Sequence, residues 1–360
     1  MKAHYVIDTA FAIPGDVSAP TGGYAYARWL FELLPQHGIL PHHIQLSSAY
    51  PKPSEQDIAA TRRVFAQLHP DTPLIIDGLA FGGMPPHLVT EIVQPVIALV
   101  HHPLAYETGL TTAEARRLYT FERQALAVAR HVIVTSATTM RLLHRDYIVA
   151  EDRLTVAEPG TLPALRAPGC GSPLQLLAVG AAVPRKGYDV LVEALSQLES
   201  NDWHLTVVGA TDRDPRHMTQ LREATLKSGR RGQISFTGAV SDEDLQRHYA
   251  RADIFVLPSL FEGYGMALTE ALAHGLPIIT TTAGAVAETV PDDAAIKVAP
   301  GDTTALVDAL TKVVDDAALR ADLAEASWSA GRKLPRWEDC AAKVADVVRS
   351  VASHASVKQL

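Results

Sequence analysis

Read for apolar and polar positions, the first half of the chain alternates short β-branched runs with stretches of helical spacing. HYVID at 4–8 precedes a helical pattern over 24–34, followed by HIQLS at 43–47 and LIID at 74–77. VIALV at 96–100 precedes a long helical pattern through Leu118 and Leu126, and HVIVTS at 131–136 and LTVAEP at 154–159 close the series. Strand, helix, strand in this rhythm predicts a parallel, doubly wound sheet. A second series follows with LQLLAVG, WHLTVVG, QISFTG, DIFVLP, LPIITT and AAIKVA, each separated by a helical stretch or a turn. Between the two lies 159–173, dense in Pro and Gly, which interrupts both periodicities and reads as an interdomain linker. The expected fold class is α/β, with two Rossmann-like doubly wound domains over 1–165 and 170–333. They are expected to face a cleft at the carboxyl ends of their strands.

The most informative stretch is 259–288, SLFEGYGMALTEALAHGLPIITTTAGAVAE. Glu262 precedes the turn Gly263-Tyr264-Gly265, and Glu270 follows on a helix whose apolar positions Met266, Leu268, Ala271 and Leu272 have helical spacing. Glycines let the backbone approach a ligand closely, and a helix opening after them offers N–H groups and a positive dipole end to an anion such as a diphosphate. Carboxylates flanking such a site suit groups that donate hydrogen bonds to them, such as sugar or ribose hydroxyls. Eight residues, if mostly helical, span about 12 Å. That exceeds the roughly 5 to 9.5 Å between the carboxyls of glycoside hydrolases. The pair therefore fits nucleophile plus general acid poorly and suits the two ends of a nucleotide sugar.

Three further stretches sit where a doubly wound fold places ligands. Pro20-Thr21-Gly22-Gly23 lies at the handover from the first strand's loop to a helix. His101 and His102 directly follow VIALV, at a carboxyl end. The loop 179–187, VGAAVPRKG, lies between LQLLAV and a helix from Tyr188.

Composition narrows the classes. The 360 residues are enough for two domains, and 47% hydrophobic with 20% charged residues and a formal net charge of -8 describes a globular protein. A mildly acidic chain is not expected to bind nucleic acid. Cys170 and Cys340 have no metal or redox spacing, so reduced thiols in a cytosolic setting are expected. No run approaches eighteen apolar residues, and the first residues lack the apolar core of a signal peptide. Asp212-Arg213-Asp214 imitates a metal-binding D-x-D but reads as a solvated loop, and the basic stretch 216–231 as the polar face of a helix that could attract an acidic acceptor or a membrane surface. The apolar helix over 24–34 reads as core packing.

On these residues the chain resembles the retaining glycosyltransferases of family 4, whose E-x7-E signature FEGYGMALTEALAHGLPII follows almost residue for residue; the resemblance covers nearly the whole chain. It implies the GT-B fold, with a last helix crossing back so that 334–360, with Trp337-Glu338 near its start, completes the first domain. It implies that Gly22 and Gly23 approach the donor phosphates or the acceptor. A His near the reacting sugar is implied at His101 or His102, His101 being the better positional match. In the loop opened by Gly180, Lys186 matches the family's diphosphate-binding Lys, but Ala181 stands where an Arg is expected; Arg185 is the nearest candidate to compensate. Glu262 would bind sugar hydroxyls and Glu270 the ribose, with Gly263, Tyr264, Gly265 and Met266 placing backbone donors, and Glu288 is a further cleft candidate. The catalytic set is then His101, His102, Lys186 and Glu262. No metal and no cofactor are implied, since the nucleotide sugar is a substrate. The acceptor would be a sugar, lipid or small molecule, met in the cytoplasm or peripherally at the inner membrane face. Two rivals stand beside this: a nucleotide-sugar epimerase of the same architecture, against which the full E-x7-E with its GYG turn argues, and a catalytically weak nucleotide-sugar-binding partner, which the missing Arg allows. Donor sugar, base, acceptor and oligomeric state stay open.

Overall fold

The structure, a computed structural model, describes residues 6–169 and 171–356; His4 and Tyr5 of the first expected strand, Cys170, and 357–360 of the expected last helix lie outside them. The chain divides into two compact units, residues 1–160 with 335–360, and 161–334. The first holds β1 (Ile7–Pro14), β2 (Ile39–Leu46), β3 (Leu74–Asp77), β4 (Val96–Val100), β5 (His131–Val134) and β6 (Leu154–Val156). The second holds β7 (Leu174–Val179), β8 (Trp203–Val208), β9 (Ile234–Gly238), β10 (Ile254–Leu257), β11 (Ile278–Thr281) and β12 (Ala295–Val298).

Each unit is a six-stranded sheet, in the orders β2-β1-β3-β4-β5-β6 and β12-β11-β10-β7-β8-β9. Every pair is parallel. Parallel strands need helical crossovers that cover both faces, so the inner strands are continuous apolar runs. LIID, VIALV and IFVL are buried at every position. The edge strand β2 begins four residues before the expected HIQLS, because its pairing with β1 starts at Ile39 opposite Ile7. Its exposed positions blur the apolar alternation that would have announced it.

The strand orders locate the point where each chain reverses direction across its sheet. In the first unit it lies between β1 and β3, and in the second between β7 and β10. Ligands of open α/β sheets bind outside the carboxyl ends of the strands at such a point.

The Pro- and Gly-rich stretch does not hang between the units. Gly160 sits against the backbone of Trp337 in the first unit. From Thr161 onward the chain is tied to the second, where the Thr161 hydroxyl donates to Thr269 Oγ1 (3.0 Å) and the Ala167 amide to the His274 carbonyl (2.9 Å). The boundary therefore falls at 160/161, ahead of the expected 165–170. The helix Trp337–Ser356 belongs to the first unit. Trp337 stacks on Trp29 (5.5 Å between centroids, 13°) and meets Tyr26 edge-on (5.7 Å), while Arg349 donates to the His37 carbonyl (2.9 Å). Cys340, on this helix, is a free buried thiol whose burial pushes its pKa up to about 12.

Candidate active site

In the second unit the loops that leave β7 and β10 lie against each other at the switch point. The β7 loop starts at Gly180, whose carbonyl accepts from the Tyr188 hydroxyl (3.1 Å), and ends at Gly187. Gly187 has φ +67°, and a Cβ there would collide with the Pro258 carbonyl just past β10. Glycine is thus what allows the two loops to close on each other. The contact continues where the Leu260 amide donates to the Arg185 carbonyl (2.8 Å) and Arg185 Nη1 to the Phe261 carbonyl (2.8 Å).

This packing brings together three of the sequence candidates. Lys186 Nζ donates to Glu262 Oε1 at 2.7 Å, the Ser259 hydroxyl donates to the same oxygen at 2.6 Å, and Arg185 Nη1 stands 3.5 Å from Oε2. The Glu262 side chain is 7% exposed, Lys186 13% and Arg185 16%, so the charges meet in a poorly solvated place. Burial pushes the Glu262 carboxyl up, but the Lys186 and Arg185 charges, with the hydrogen bonds from Lys186 and Ser259, outweigh it and hold the group at about 2. Glu262 is ionised at neutral pH and holds two cations beside it. Arg185 turns inward onto the β10 loop, and Ala181 is half-buried at the start of the same loop.

Gly263, Tyr264 and Gly265 are buried and lead into the helix Met266–Ala273, with Gly265 at its N-cap and no capping side chain. The first amides of that helix are left to other partners. Because the helix starts at Met266, half of the Glu262 to Glu270 interval is not helical, contrary to the premise of the 12 Å span. The two acids also differ in state. Burial pushes Glu270 up to about 7, eased by a hydrogen bond from Tyr249 and reinforced by Asp242. Glu288 is exposed on the helical turn Val286–Thr289, next to Ala285, whose amide donates to the Glu262 carbonyl (2.9 Å).

The first unit gathers a different set. Thr21 caps the helix Gly22–Leu33 by accepting from the Tyr24 amide (3.3 Å), so Gly22 and Gly23 form its first turn. His101 follows β4, and its ring meets Tyr26 edge-on (5.3 Å, 83°). A Cβ on Gly23 would stand 3.3 Å from His101 Nε2, so ring and glycine are in contact range. His102 turns elsewhere, its Nε2 3.2 Å from Glu107 Oε2. Of the two histidines, His101 is the one at the glycine pair. Sequence reasoning passed over Asp77, which ends β3 with its side chain 6% exposed and Oδ2 3.6 Å from His101 Nε2. The available signal was an acid closing the apolar run LIID at a strand's carboxyl end. Ser259, fully buried on the Glu262 carboxylate, was also missed.

The D-x-D and the basic stretch have local roles. Asp214 of the D-x-D is the N-cap of the helix Pro215–Lys227, accepting from the His217 amide (2.9 Å), and this helix carries most of the basic stretch. Among the described residues no three His, Cys, Asp or Glu side chains form a group that could hold a metal ion, and no helix is long and apolar enough to cross a membrane.

Residues 173–316, which contain both loops of the second unit's cluster, match the family described as Glycosyl transferases group 1. The chain is 30% identical over 287 residues to an MMP alpha-(1->4)-mannosyltransferase of Mycolicibacterium hassiacum, covering 75% of this chain and 68% of that protein. It is 32% identical over 187 residues to a GDP-mannose-dependent alpha-(1-6)-phosphatidylinositol monomannoside mannosyltransferase of Mycobacterium tuberculosis, a match spanning 48% of this chain and about half, 47%, of that relative. Its fold matches sucrose-phosphate synthase from Thermosynechococcus elongatus with a TM-score of 0.81 at 20% identity, over 97% of this chain and 100% of that one.

Proposed function

Since the chain belongs to the group 1 glycosyl transferases, with the GT-B fold, we propose that it moves a hexose from a nucleoside diphosphate sugar to a hydroxyl acceptor with retention of the anomeric configuration. The observation that carries this reading is the buried cluster of Lys186, Arg185 and Glu262 at the β7/β10 switch point, ahead of a helix with no capping side chain. In the transfer the bond from the anomeric carbon to the diphosphate oxygen breaks and its electron pair leaves with the diphosphate. Lys186, Arg185 and the first amides of the helix Met266–Ala273 meet that growing negative charge, supplying the positive field from the protein itself. The acceptor oxygen bonds to the same face of the carbon, and its proton passes to the departing diphosphate, the nearest base on that face. No protein nucleophile is needed. Glu262 receives sugar hydroxyls while remaining tied to Lys186, Glu270 receives the ribose hydroxyls, and Gly263, Tyr264, Gly265 and Met266 present backbone donors between them. Gly22, Gly23 and His101 serve the reacting sugar and the acceptor.

The relatives named as mannosyltransferases, one of them GDP-mannose-dependent, make GDP-mannose the first donor to try. The acceptor class is a sugar, lipid or small molecule with a free hydroxyl, met in the cytoplasm; a lipid acceptor would bring the chain to the inner membrane face as a peripheral protein. The test incubates the purified full chain with GDP-mannose and a panel of GDP- and UDP-sugars, with simple glycosides as acceptors. Release of nucleoside diphosphate and an early product of unchanged anomeric configuration are expected. An isomerised sugar nucleotide would favour an epimerase, and binding without turnover a nucleotide-sugar-binding partner.

A further inference from the structure

We propose that Asp77 is a positioning residue for His101, setting which ring nitrogen carries the proton and so which one is offered to a hydroxyl. The backbone supplies the first part of the argument. β3 and β4 are neighbours, with Asp77 in register with Leu99, two residues before His101. Just after Asp77, a Cβ on Gly78 would stand 2.9 Å from the Leu99 carbonyl and 3.3 Å from Val100 Cα, so the corner that carries the carboxylate lies hard against the strand that carries the imidazole. A larger residue at 78 would push the two apart.

The side chains supply the second part. One Asp77 oxygen is committed, since Oδ1 accepts from the Leu79 amide (2.9 Å) and caps the short helix Gly78–Phe81. The other, Oδ2, is 3.6 Å from His101 Nε2. That nitrogen is buried and has no hydrogen-bond partner. A buried donor left without a partner is costly, and the Asp77 carboxylate stands beside it just beyond hydrogen-bonding distance. The imidazole is otherwise well held: Tyr26 meets its ring edge-on, and the Thr135 hydroxyl donates to the His101 carbonyl (3.1 Å). His101 is a quarter exposed while Nε2 is buried, so the accessible part of the ring lies away from Asp77. With the proton on Nε2 directed at Asp77, Nδ1 keeps its lone pair and can accept a hydrogen bond from a hydroxyl. The catalytic consequence rests on the glycosyl-transfer reading; the tautomer does not.

Asp77→Asn isolates the charge, because asparagine is as good an N-cap as aspartate. With its carbonyl oxygen on the Leu79 amide, its NH₂ group must face Nε2, which then has to accept. The tautomer inverts. In full-length protein labelled with ¹⁵N-histidine, with His101 assigned by its disappearance in His101→Asn, long-range ¹H–¹⁵N spectra at mildly alkaline pH should show an Nε2–H tautomer in the wild type and an Nδ1–H tautomer in Asp77→Asn. Turnover in Asp77→Asn should fall at least about tenfold with the donor KM within about twofold, as for a misassigned imidazole. A wild-type His101 in the Nδ1–H form overturns the proposal whether or not the variant folds. So does wild-type turnover in Asp77→Asn, and so does a fall explained by donor KM alone, which would put Asp77 on the donor itself. If no sugar nucleotide is turned over by the wild type, the glycosyl-transfer reading fails, while the spectra still decide the link between Asp77 and His101.

Discussion

At the switch point of the second unit, between β7 and β10, Lys186, Arg185 and Glu262 crowd together, each less than a fifth exposed. At that of the first unit, between β1 and β3, stand Gly22, Gly23, His101 and the buried carboxylate of Asp77. Both are the places where a doubly wound sheet leaves its strand ends open. One is built to hold a field and the other to hold a shape. The difference matches the chemistry proposed for each: a diphosphate departing with growing charge needs fixed cations, whereas a hydroxyl and a sugar ring need room and a hydrogen-bond acceptor in a set orientation. Substitutions in the second unit should therefore act through charge, and those in the first through position.

The largest effect is expected from Lys186→Ala. Removing the ammonium from a departing diphosphate should lower turnover by about 10²- to 10³-fold, the equivalent of ~3–4 kcal/mol, with a smaller change in donor KM. It also strips Glu262 of its closest cation, leaving the Ser259 hydroxyl and, at 3.5 Å, Arg185. A buried carboxylate losing its partner costs about 3 kcal/mol or more in stability. Adding Glu262→Gln to Lys186→Ala should restore stability in urea unfolding but not turnover, separating the structural role of the pair from the catalytic one. Should both fall together and both return, the field at this site would be structural and the contrast between the units lost.

Glu270 sharpens the contrast inside the second unit, since its carboxyl is pushed up to about 7 while that of Glu262 is held at about 2. Only the ionised form accepts fully from ribose hydroxyls, so nucleoside diphosphate should bind more tightly as pH rises through about 7. Glu270→Gln should weaken binding about tenfold or more at the upper end and flatten the dependence, which calorimetry at several pH values would follow. The stability effect has the opposite sense. A carboxyl raised in the folded state contributes stability that is fully present below its unfolded value and is lost as pH rises through the folded one. The variant should therefore melt above the wild type at about pH 8 and level with it at about pH 4. An affinity indifferent to pH would remove Glu270 from the ribose.

What the sequence reveals follows what is local in it. Strands such as VIALV and IFVL are legible because burial on both faces demands unbroken apolar runs, and Glu262 and Glu270 because motif and turn are contiguous. The edge strand β2 is blurred by its exposed side. The contact between Lys186 and Glu262 spans 76 positions and depends on Gly187 letting two loops touch, which no spacing displays. Asp77 and His101 meet only because β3 and β4 are neighbours. Composition marks 159–173 as a breaker of regular structure, yet it takes the hydrogen bonds of Thr161 to Thr269 and of Ala167 to His274 to show which unit the segment joins.

The smallest effect, and the sharpest test of shape against field, is expected from Gly23→Ala. Gly23 lies in the first turn of the helix Gly22–Leu33, and its backbone is not in the left-handed region that would demand glycine. Alanine there should favour the folded helix by about 0.5–1 kcal/mol, chiefly by restricting the unfolded chain. Against that, the new methyl would stand 3.3 Å from His101 Nε2 and 3.4 Å from Cδ2, so the ring has to yield by a few tenths of an ångström. With Tyr26 and the bond from Thr135 holding the residue, that movement is not free. The two terms nearly cancel in stability, and thermal melts should be unchanged or slightly raised. Turnover should still fall about three- to tenfold, less than the roughly 10²-fold of a full 1 Å misplacement. Nucleoside diphosphate binding to the second unit should not change. A variant that melts like the wild type but turns over more slowly places the glycine in the reaction geometry. One that is equally active reduces Gly22-Gly23 to a helix start, and the first unit then owes its site to Asp77 and His101 alone.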